Sequence, residues 1–556
     1  MALESITAGP WSLVPALFAI SLAWYTKDAL VGLFVGVASA AVVYGALQPT
    51  VVGVPGTVVA TQLVPVVRVL GVELGPVNAG NALGALFGLK VLPTLVATSP
   101  LFSSAWYVEN VLVAIFAIGG MMGLMIRAGA IQGVLDALAS RVDSAADAEK
   151  ATFLAGILIH IDDYFNCLVV GSMMRPLTDK YQVSRAKLAY YVDSAGSPAA
   201  RLAFYSTWGA ALISFIAAGV KQAAQQGQLP DALSSYVTRS GDGVQVVTDA
   251  LWPLFFNSIA FGFYSWTALL VAALVAWQVL PNAFGMKTEE ERARAGDGVV
   301  GPDADPMISE EMEEYAMYEG ATPRWTNFAI PLAVMVLVAL GAMFWTGRAL
   351  IETAAGTFAL HIGGVQLGLA ATTAMVVAFV LYRVRGDIPS NDDGTDALLT
   401  GFKGIFLAAV ILMLASSIQN SVTVLGISSF VTDWFAGIPP AFIPVLVFLA
   451  TSFISFSDGS SWSTYGIMFP IAIPVAFATG ANLPLVLGAV FSGGIFGDHS
   501  SPISDTTVLA SSTSGSDHLV HVRTQIPYAI ASATVAAVLF LILGVLLPEG
   551  FRVIPY

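Results

Sequence analysis

Charge is scarce in this chain. Asp, Glu, Lys and Arg make up 11% of its 556 residues and hydrophobic residues 56%, where a soluble globular domain carries roughly 25% charged residues. The mean hydropathy is +0.78. That balance excludes a soluble fold and predicts a polytopic membrane protein. Cysteine is nearly absent: Cys167 alone leaves no internal disulfide and no cysteine-based metal site. Polar/apolar alternation in segments of about ten residues is missing, which argues against a transmembrane β-barrel. No Gly-Lys-Ser or Gly-Lys-Thr occurs, so a Walker A loop and an ATP-driven pump are set aside. There is no His-Glu-x-x-His. Asp498 reads Gly-Ile-Phe-Gly-Asp rather than the Gly-x-Gly-Asp of intramembrane aspartyl proteases. The chain is therefore not read as an enzyme, and no cofactor is expected. Lys and Arg number 23 against 37 Asp and Glu, a net charge of −14, which excludes nucleic acid as an expected partner. The first ten residues lack a basic n-region, so the apolar segment after them reads as a membrane helix rather than a signal.

What is present is a series of apolar segments. Those at 10–25, 28–46, 109–127, 151–174, 203–220, 250–280, 327–346, 364–383, 401–418, 440–457, 464–480 and 526–547 predict an all-α membrane protein with about 11–13 crossings. Segment 250–280 is longer than one span needs and reads as one long or two short helices. Gly-Gly-Met-Met-Gly at 119–123 offers small residues for close helix approach. The charge is unevenly spread: residues 286–320 hold eleven acidic and three basic side chains. Such a block is expected to be solvated. It divides the chain into a membrane half at 1–281, a connecting loop at 282–324 and a second membrane half at 325–556. Arg175, Lys180, Arg185 and Lys187 read as a short cytoplasmic turn under the positive-inside rule.

Two polar insertions interrupt the apolar pattern. One lies at 493–507, G-G-I-F-G-D-H-S-S-P-I-S-D-T-T, where ten residues hold Asp498, Asp505, His499 and five hydroxyls. Gly493, Gly494, Gly497 and Pro502 are expected to break the helix there. The other comprises H-I-D-D-Y-F-N at 160–166 and D-S-A-G-S-P at 193–198. Ionisable groups inside a membrane are costly and mark an ion or substrate pathway. Asp163 and Asn166, three apart, share a helix face, and Asp162 reads as a partner of Arg175 or Arg185. The second half repeats the pattern: with Asp458 set on Asp163, Gly466 matches Gly171 and Met468 matches Met173, while D-H-S-S-P at 498–502 faces D-S-A-G-S-P. Paired interrupted segments in corresponding places point to a transporter built from two inverted repeats, with its site at their interface.

The stretches I-F-G-D-H-S-S-P-I-S-D-T-T-V-L-A-S-S (495–512), D-H-L-V-H-V-R-T-Q-I-P-Y-A (517–529), D-D-Y-F-N-C-L-V-V-G-S-M-M-R-P-L-T-D (162–179) and S-R-A-K-L-A-Y-Y-V-D-S (184–194) resemble the NhaC-type sodium/proton antiporter family, within the ion-transporter superfamily. Ser500 stands where that family often has cysteine. Ala195-Gly196-Ser197-Pro198 replaces its Thr-Ala-Ala-Pro. The resemblance implies re-entrant or broken hairpins meeting at the midplane, a transport domain moving against a scaffold, a homodimer, and a multi-pass location in the cytoplasmic membrane. It also implies Na⁺ and H⁺ as substrates, although the family includes exchangers of organic acids.

Sodium is a hard cation that takes oxygen ligands. Asp163, Asn166, Asp193, Asp458, Asp498, Ser504, Asp505 and Thr506 supply carboxylate, amide and hydroxyl oxygens. A buried carboxylate can hold a proton in place of the ion, so one shared site is sufficient for antiport. Asp163 and Asp458 are the first choices for that competition, Asp498 or Asp505 the next. His160 and His499 read as pH-sensing or orienting groups, and His518 and His521 as structural residues near a membrane edge. The alternative is a Na⁺- or H⁺-coupled exchanger of an organic acid or amino acid, with Arg201 contacting the anionic substrate.

Overall fold

The computed structural model describes the chain apart from residues 1–5, 48–66, 75–90, 98–111, 139–141, 161–162, 308–316, 347–366, 427–434 and 554–556, and single residues or short runs at 7, 27, 70–71, 204–250 and 436. The architecture is helical. Two small antiparallel hairpins, Val67–Val69 with Val72–Leu74 and Val237–Ser240 with Gly243–Val246, lie in connecting segments.

The first helices, α1 (Val14–Thr26) and α2 (Ala29–Leu47), pack through small residues. A Cβ on Gly32 would stand 2.6 Å from Ala23 Cβ, and one on Gly36 would stand 2.7 Å from Ala19 Cβ. Next come α3 (Val91–Ala97), α4 (Val113–Arg127) and α5 (Ala130–Leu138). A four-helix unit follows: α6 (Ala145–Leu158), α7 (Asp163–Lys180), α8 (Arg185–Ala195) and the short α9 (Ser197–Leu202). The chain continues with α10 (Trp208–Gln225), α11 (Trp252–Ala260), α12 (Phe263–Ala276), α13 (Phe284–Ala295), α14 (Trp325–Thr346), α15 (Leu367–Arg385) and α16 (Asn391–Val424). A second unit has the same order: α17 (Ile443–Asp458), α18 (Ser461–Thr479), α19 (Leu483–Ser500) and α20 (Asp505–Ser514), before the long α21 (His518–Leu546).

Among the described residues five helices are long and apolar enough to cross a membrane. The pair α11 and α12 adds a sixth, bent by 44° at its break, so 250–280 is two short helices. The glycines of α4 meet α16: a Cβ on Gly119 would lie 2.8 Å from the Gly401 carbonyl.

Both four-helix units are helix–break–helix hairpins, and each break is stabilised locally. Ser184, Ser460, Asn482, Ser504 and Asp517 accept hydrogen bonds from the first-turn amides of α8, α18, α19, α20 and α21. Gly459, at φ 72°, turns the chain from α17 into α18 with its Cα directly against the Ile503 backbone, where a side chain has neither the conformation nor the room. The units interlock. The terminal helix α20 of the second packs on α7 and α8 of the first, and α9 of the first packs on α19 of the second. The polar residues of the breaks are buried within a largely apolar core, and further apolar side chains face outward. On α21, Ser532, Ala536 and Phe540 are buried while Ile530, Val535, Val538 and Val545 are exposed, as a lipid-facing surface requires.

Four expectations change. Gly493, Gly494 and Gly497 do not break the helix; α19 runs through them to Ser500 and the chain bends only at Ser501–Ser504, where Pro502 sits. Those glycines instead let α17 and α18 approach: a Cβ on Gly493 would meet Thr451 Cβ at 2.6 Å, and Gly497 lies against the Ser455–Phe456 backbone. Segment 151–174 is not one span, because α6 ends at Leu158 and α7 begins at Asp163. The acidic segment is not simply solvated either. Its first part folds as α13, and Glu289 and Glu290 are buried. Lys187, expected in a surface turn, is fully buried with Glu149 at 2.7 Å and Glu290 at 3.5 Å. Arg294 completes that cluster, 2.6 Å from Glu149. The acidic residues 310, 311, 313 and 314 lie outside the described residues. At the start of α16, a hydrogen bond from Ser390 to Asp393, aided by Arg127, holds that half-buried carboxyl below its usual range.

Candidate ion-binding site

The breaks bring polar side chains of both units to one place. Asp498, in the last turn of α19, is buried. Three hydroxyls donate to it: Ser504 Oγ at 2.9 Å, Ser461 Oγ at 3.2 Å and Thr506 Oγ1 at 3.4 Å. Ser461 opens α18, whereas Ser504 and Thr506 belong to the start of α20. Ser504 and Thr506 also contact each other at 3.1 Å. Hydroxyls suit such a position because each can donate to a bare carboxylate or turn a lone pair to a cation.

Asp505 opens α20 and accepts from the hydroxyl of Tyr164, the second residue of α7. Asp163, immediately before it, accepts from Trp208 Nε1 at 3.0 Å and from Ser197 Oγ at 3.4 Å. Asp193, on α8, accepts at Oδ2 from Thr507 Oγ1 at 3.0 Å and Gln525 Nε2 at 2.7 Å, while its buried Oδ1 has no hydrogen-bond partner. Asn166 donates to the Gly156 carbonyl at 2.6 Å, tying α7 to α6, and its Oδ1 is likewise buried without a donor. Buried acceptors without a donor are rare, and each is a place where a water, a proton or a cation fits.

Asp458 has a different setting. Its carboxylate folds over the start of α18, accepting from the Ser460 amide at 3.0 Å, Thr464 Oγ1 at 3.2 Å and Ser463 Oγ. It thereby braces the first turn of the helix that carries Ser461, beside the Ser460 cap. His499 bridges Ser194 Oγ at 2.9 Å and Tyr264 Oη at 2.7 Å, so it links the two units. His160 is only half buried in the turn after α6, against the Ile157 carbonyl. Asp162 lies outside the described residues. Arg201, on α9, is fully buried. It stands over the Phe491 ring, which packs 5.2 Å from the ring of Tyr465.

His518 and His521 are buried beside this cluster, not at an exposed edge. His518 Nε2 meets the Pro502 carbonyl at 2.7 Å and His521 Nε2 meets Gln525 Oε1 at 2.8 Å. A carbonyl only accepts, and the Gln525 amide group is committed to Asp193 and the His499 carbonyl. Both imidazoles therefore carry hydrogen on Nε2. Their Nδ1 atoms both face Ser511 Oγ, at 3.0 and 2.8 Å, and that hydroxyl also lies 2.7 Å from the Thr507 carbonyl. One hydroxyl hydrogen cannot serve three contacts. The arrangement has room for further protons.

No Lys or Arg pairs with Asp193, Asp458, Asp498 or Asp505 among the described residues; the His521 imidazole, neutral in this hydrogen-bond pattern, lies 3.9 Å from Asp193. Nor do three His, Cys, Asp or Glu side chains converge there as a transition-metal centre would need. The set is carboxylate and hydroxyl oxygen. The sequence pattern did not reveal Tyr164, Trp208, Ser461, Tyr264 or Gln525 as contacts of these residues. Only Gln525 left a signal, four residues after His521 and so on the same face of α21.

The model of the Na⁺/H⁺ antiporter family matches residues 234–545, more than half of the chain. The chain belongs to the Na⁺/H⁺ antiporter family. An uncharacterized protein of Haemophilus influenzae is 27% identical to this antiporter-family chain over 552 residues, 98% of this chain and 92% of that one. The Na⁺/H⁺ antiporter NhaC of Alkalihalophilus pseudofirmus is 31% identical over 154 residues, 27% of this chain. A malate-2H⁺/Na⁺-lactate antiporter of Bacillus subtilis is 34% identical over 149 residues, 24% of this chain. The alignments with these two named antiporters span 32% of each. Membership makes the chain an integral membrane secondary transporter, not an enzyme.

Proposed function

We propose that this chain exchanges Na⁺ for H⁺ across the cytoplasmic membrane, with a site centred on Asp498 holding one ion or the other. The observation that carries this reading is the setting of Asp498: a buried carboxylate ringed by the hydroxyls of Ser461, Ser504 and Thr506, with no Lys or Arg paired to it among the described residues. Sodium entering there finds carboxylate and hydroxyl oxygens; a proton entering instead neutralises the carboxylate. Binding of one excludes the other. Because Ser461 comes from α18 and the other hydroxyls from α20, a shift of one helix start against the other dismantles the site, which is what alternating access needs.

On this reading 1–281 and 325–556 are the two repeats, joined by 282–324, and each contributes one hairpin unit. Asp163, Asn166, Asp193 and Asp505 form the path on the first-unit side, and Asp458 holds Ser461 in place. The His518–Ser511–His521 group, coupled to Asp193 through Gln525, is a relay for protons on their way to that site. The Bacillus relative named for malate and lactate raises organic acids as further cargo, and Arg201 is the feature of this chain that favours them.

Sodium-dependent thermal stabilisation tests the site. NaCl, compared with choline chloride, should raise the melting temperature of the detergent-purified protein, and apparent Na⁺ affinity should weaken about tenfold per pH unit where one proton competes. Asp498→Asn should abolish the response and Ser461→Ala should weaken it. A response that is independent of pH, or retained in Asp498→Asn, would contradict the proposal.

A further inference from the structure

Arg201 is among the largest side chains in the protein that are completely buried. Its Nη2 donates to the Ser258 carbonyl at 2.9 Å, in the last turn of α11. Its Nε and Nη1 have no acceptor, and no carboxylate pairs with it among the described residues. The guanidinium carbon lies 4.6 Å from the centroid of the Phe491 ring, and Gly262, in the break between α11 and α12, lies against Nη1. A buried charge without a counter-ion is costly even after the protein relaxes. Capping the end of α11 does not account for it, because one donor suffices for that and two nitrogens remain unused.

Aromatic groups surround the position. Phe491 packs on Tyr465; Trp208, the donor to Asp163, lies 6.4 Å from Tyr465 and 4.8 Å from Trp462 between ring centroids. A planar cation with spare donors beside an aromatic wall fits an oxyanion carried on a carbon body better than a small inorganic anion.

We propose that Arg201 is the binding residue for the carboxylate of a small organic substrate, held beside the break between α11 and α12. A carboxylate there and a cation at Asp498 would occupy one transporter together, and the substrate then travels with, or against, the coupling ion. The coupling rests on the antiport reading above; carboxylate binding does not.

The test is thermal unfolding of the full chain in detergent with sodium acetate, L-lactate or succinate, or L-alanine in NaCl, each against NaCl at equal sodium. At least one should raise the wild-type melting temperature with saturation. Arg201→Gln should weaken that effect at least tenfold while eluting as the same monodisperse species. If Arg201→Gln does not fold, Arg201→Lys decides: tenfold weakening supports the assignment, and wild-type affinity overturns it. No stabilisation by any of the four, or an undiminished effect in Arg201→Gln, also overturns it and leaves Arg201 as a cap for α11. A parallel series of NaCl against choline chloride on the wild type separates the two proposals. Carboxylate binding without a sodium response retains the Arg201 site and rejects the sodium site.

Discussion

The buried charge cluster that fastens α13 to α6 and α8 gives a quantitative prediction. Glu149, fully buried, receives Lys187 Nζ at 2.7 Å, Arg294 Nη2 at 2.6 Å, and Tyr191 Oη and Gln278 Nε2 at 2.8 Å each. Lys187, equally buried, has Glu149 and, at 3.5 Å, Glu290. The two partners are therefore unequal. Glu149→Gln leaves the Lys187 ammonium in the interior with one distant carboxylate, and breaking a buried pair in this way costs about 3–5 kcal/mol. Lys187→Met leaves Glu149 with Arg294, Tyr191 and Gln278, so no charge is stranded and the loss should be smaller, about 1.5–3 kcal/mol. The double variant should recover most of the difference, because no unpaired ammonium remains. Thermal unfolding in detergent should rank the four proteins wild type, Lys187→Met, the double variant close to it, then Glu149→Gln. Equal damage from the two single variants, or no effect of Glu149→Gln, would refute the reasoning and the docking of α13 with it.

Further predictions follow from close contacts. Gly497→Ala places a methyl against the Ser455–Phe456 backbone, which cannot yield as a side chain could, so it should lower the melting temperature by an amount equivalent to about 2–3 kcal/mol. Gly341→Ala, with nothing within 4 Å, should be nearly neutral in the same assay. Thr507→Val removes the donor to Asp193 at 3.0 Å and to the Asp498 carbonyl at 3.1 Å; it should cost about 1–3 kcal/mol, while Thr507→Ser should melt close to wild type.

The sequence made the site legible in part because carboxylates in apolar runs stand out against their surroundings. Asp163, Asp193, Asp498 and Asp505 were each conspicuous for that reason, as was the Asp-to-Pro loop present in both halves. Pairings were not legible. Tyr164 bonds Asp505 and Ser461 bonds Asp498 across breaks between different elements, and no periodicity within one helix encodes a partner on another. Local rules also misled where packing overrode them. Three glycines that read as helix breakers proved to be close-contact positions in α19, since intrahelical bonds persist where neighbouring helices exclude water. The same is true of Glu289 and Glu290, which read as solvated charge until Lys187, Arg292 and Arg294 are placed beside them.

The most direct test of the central claim is exchange itself. The protein would be reconstituted in liposomes with an internal pH dye, a proton gradient imposed, and NaCl added outside. The account predicts that Na⁺ collapses the gradient for the wild type and that the collapse is lost in Asp498→Asn. Absence of any response to Na⁺, or an undiminished response in Asp498→Asn, would contradict it.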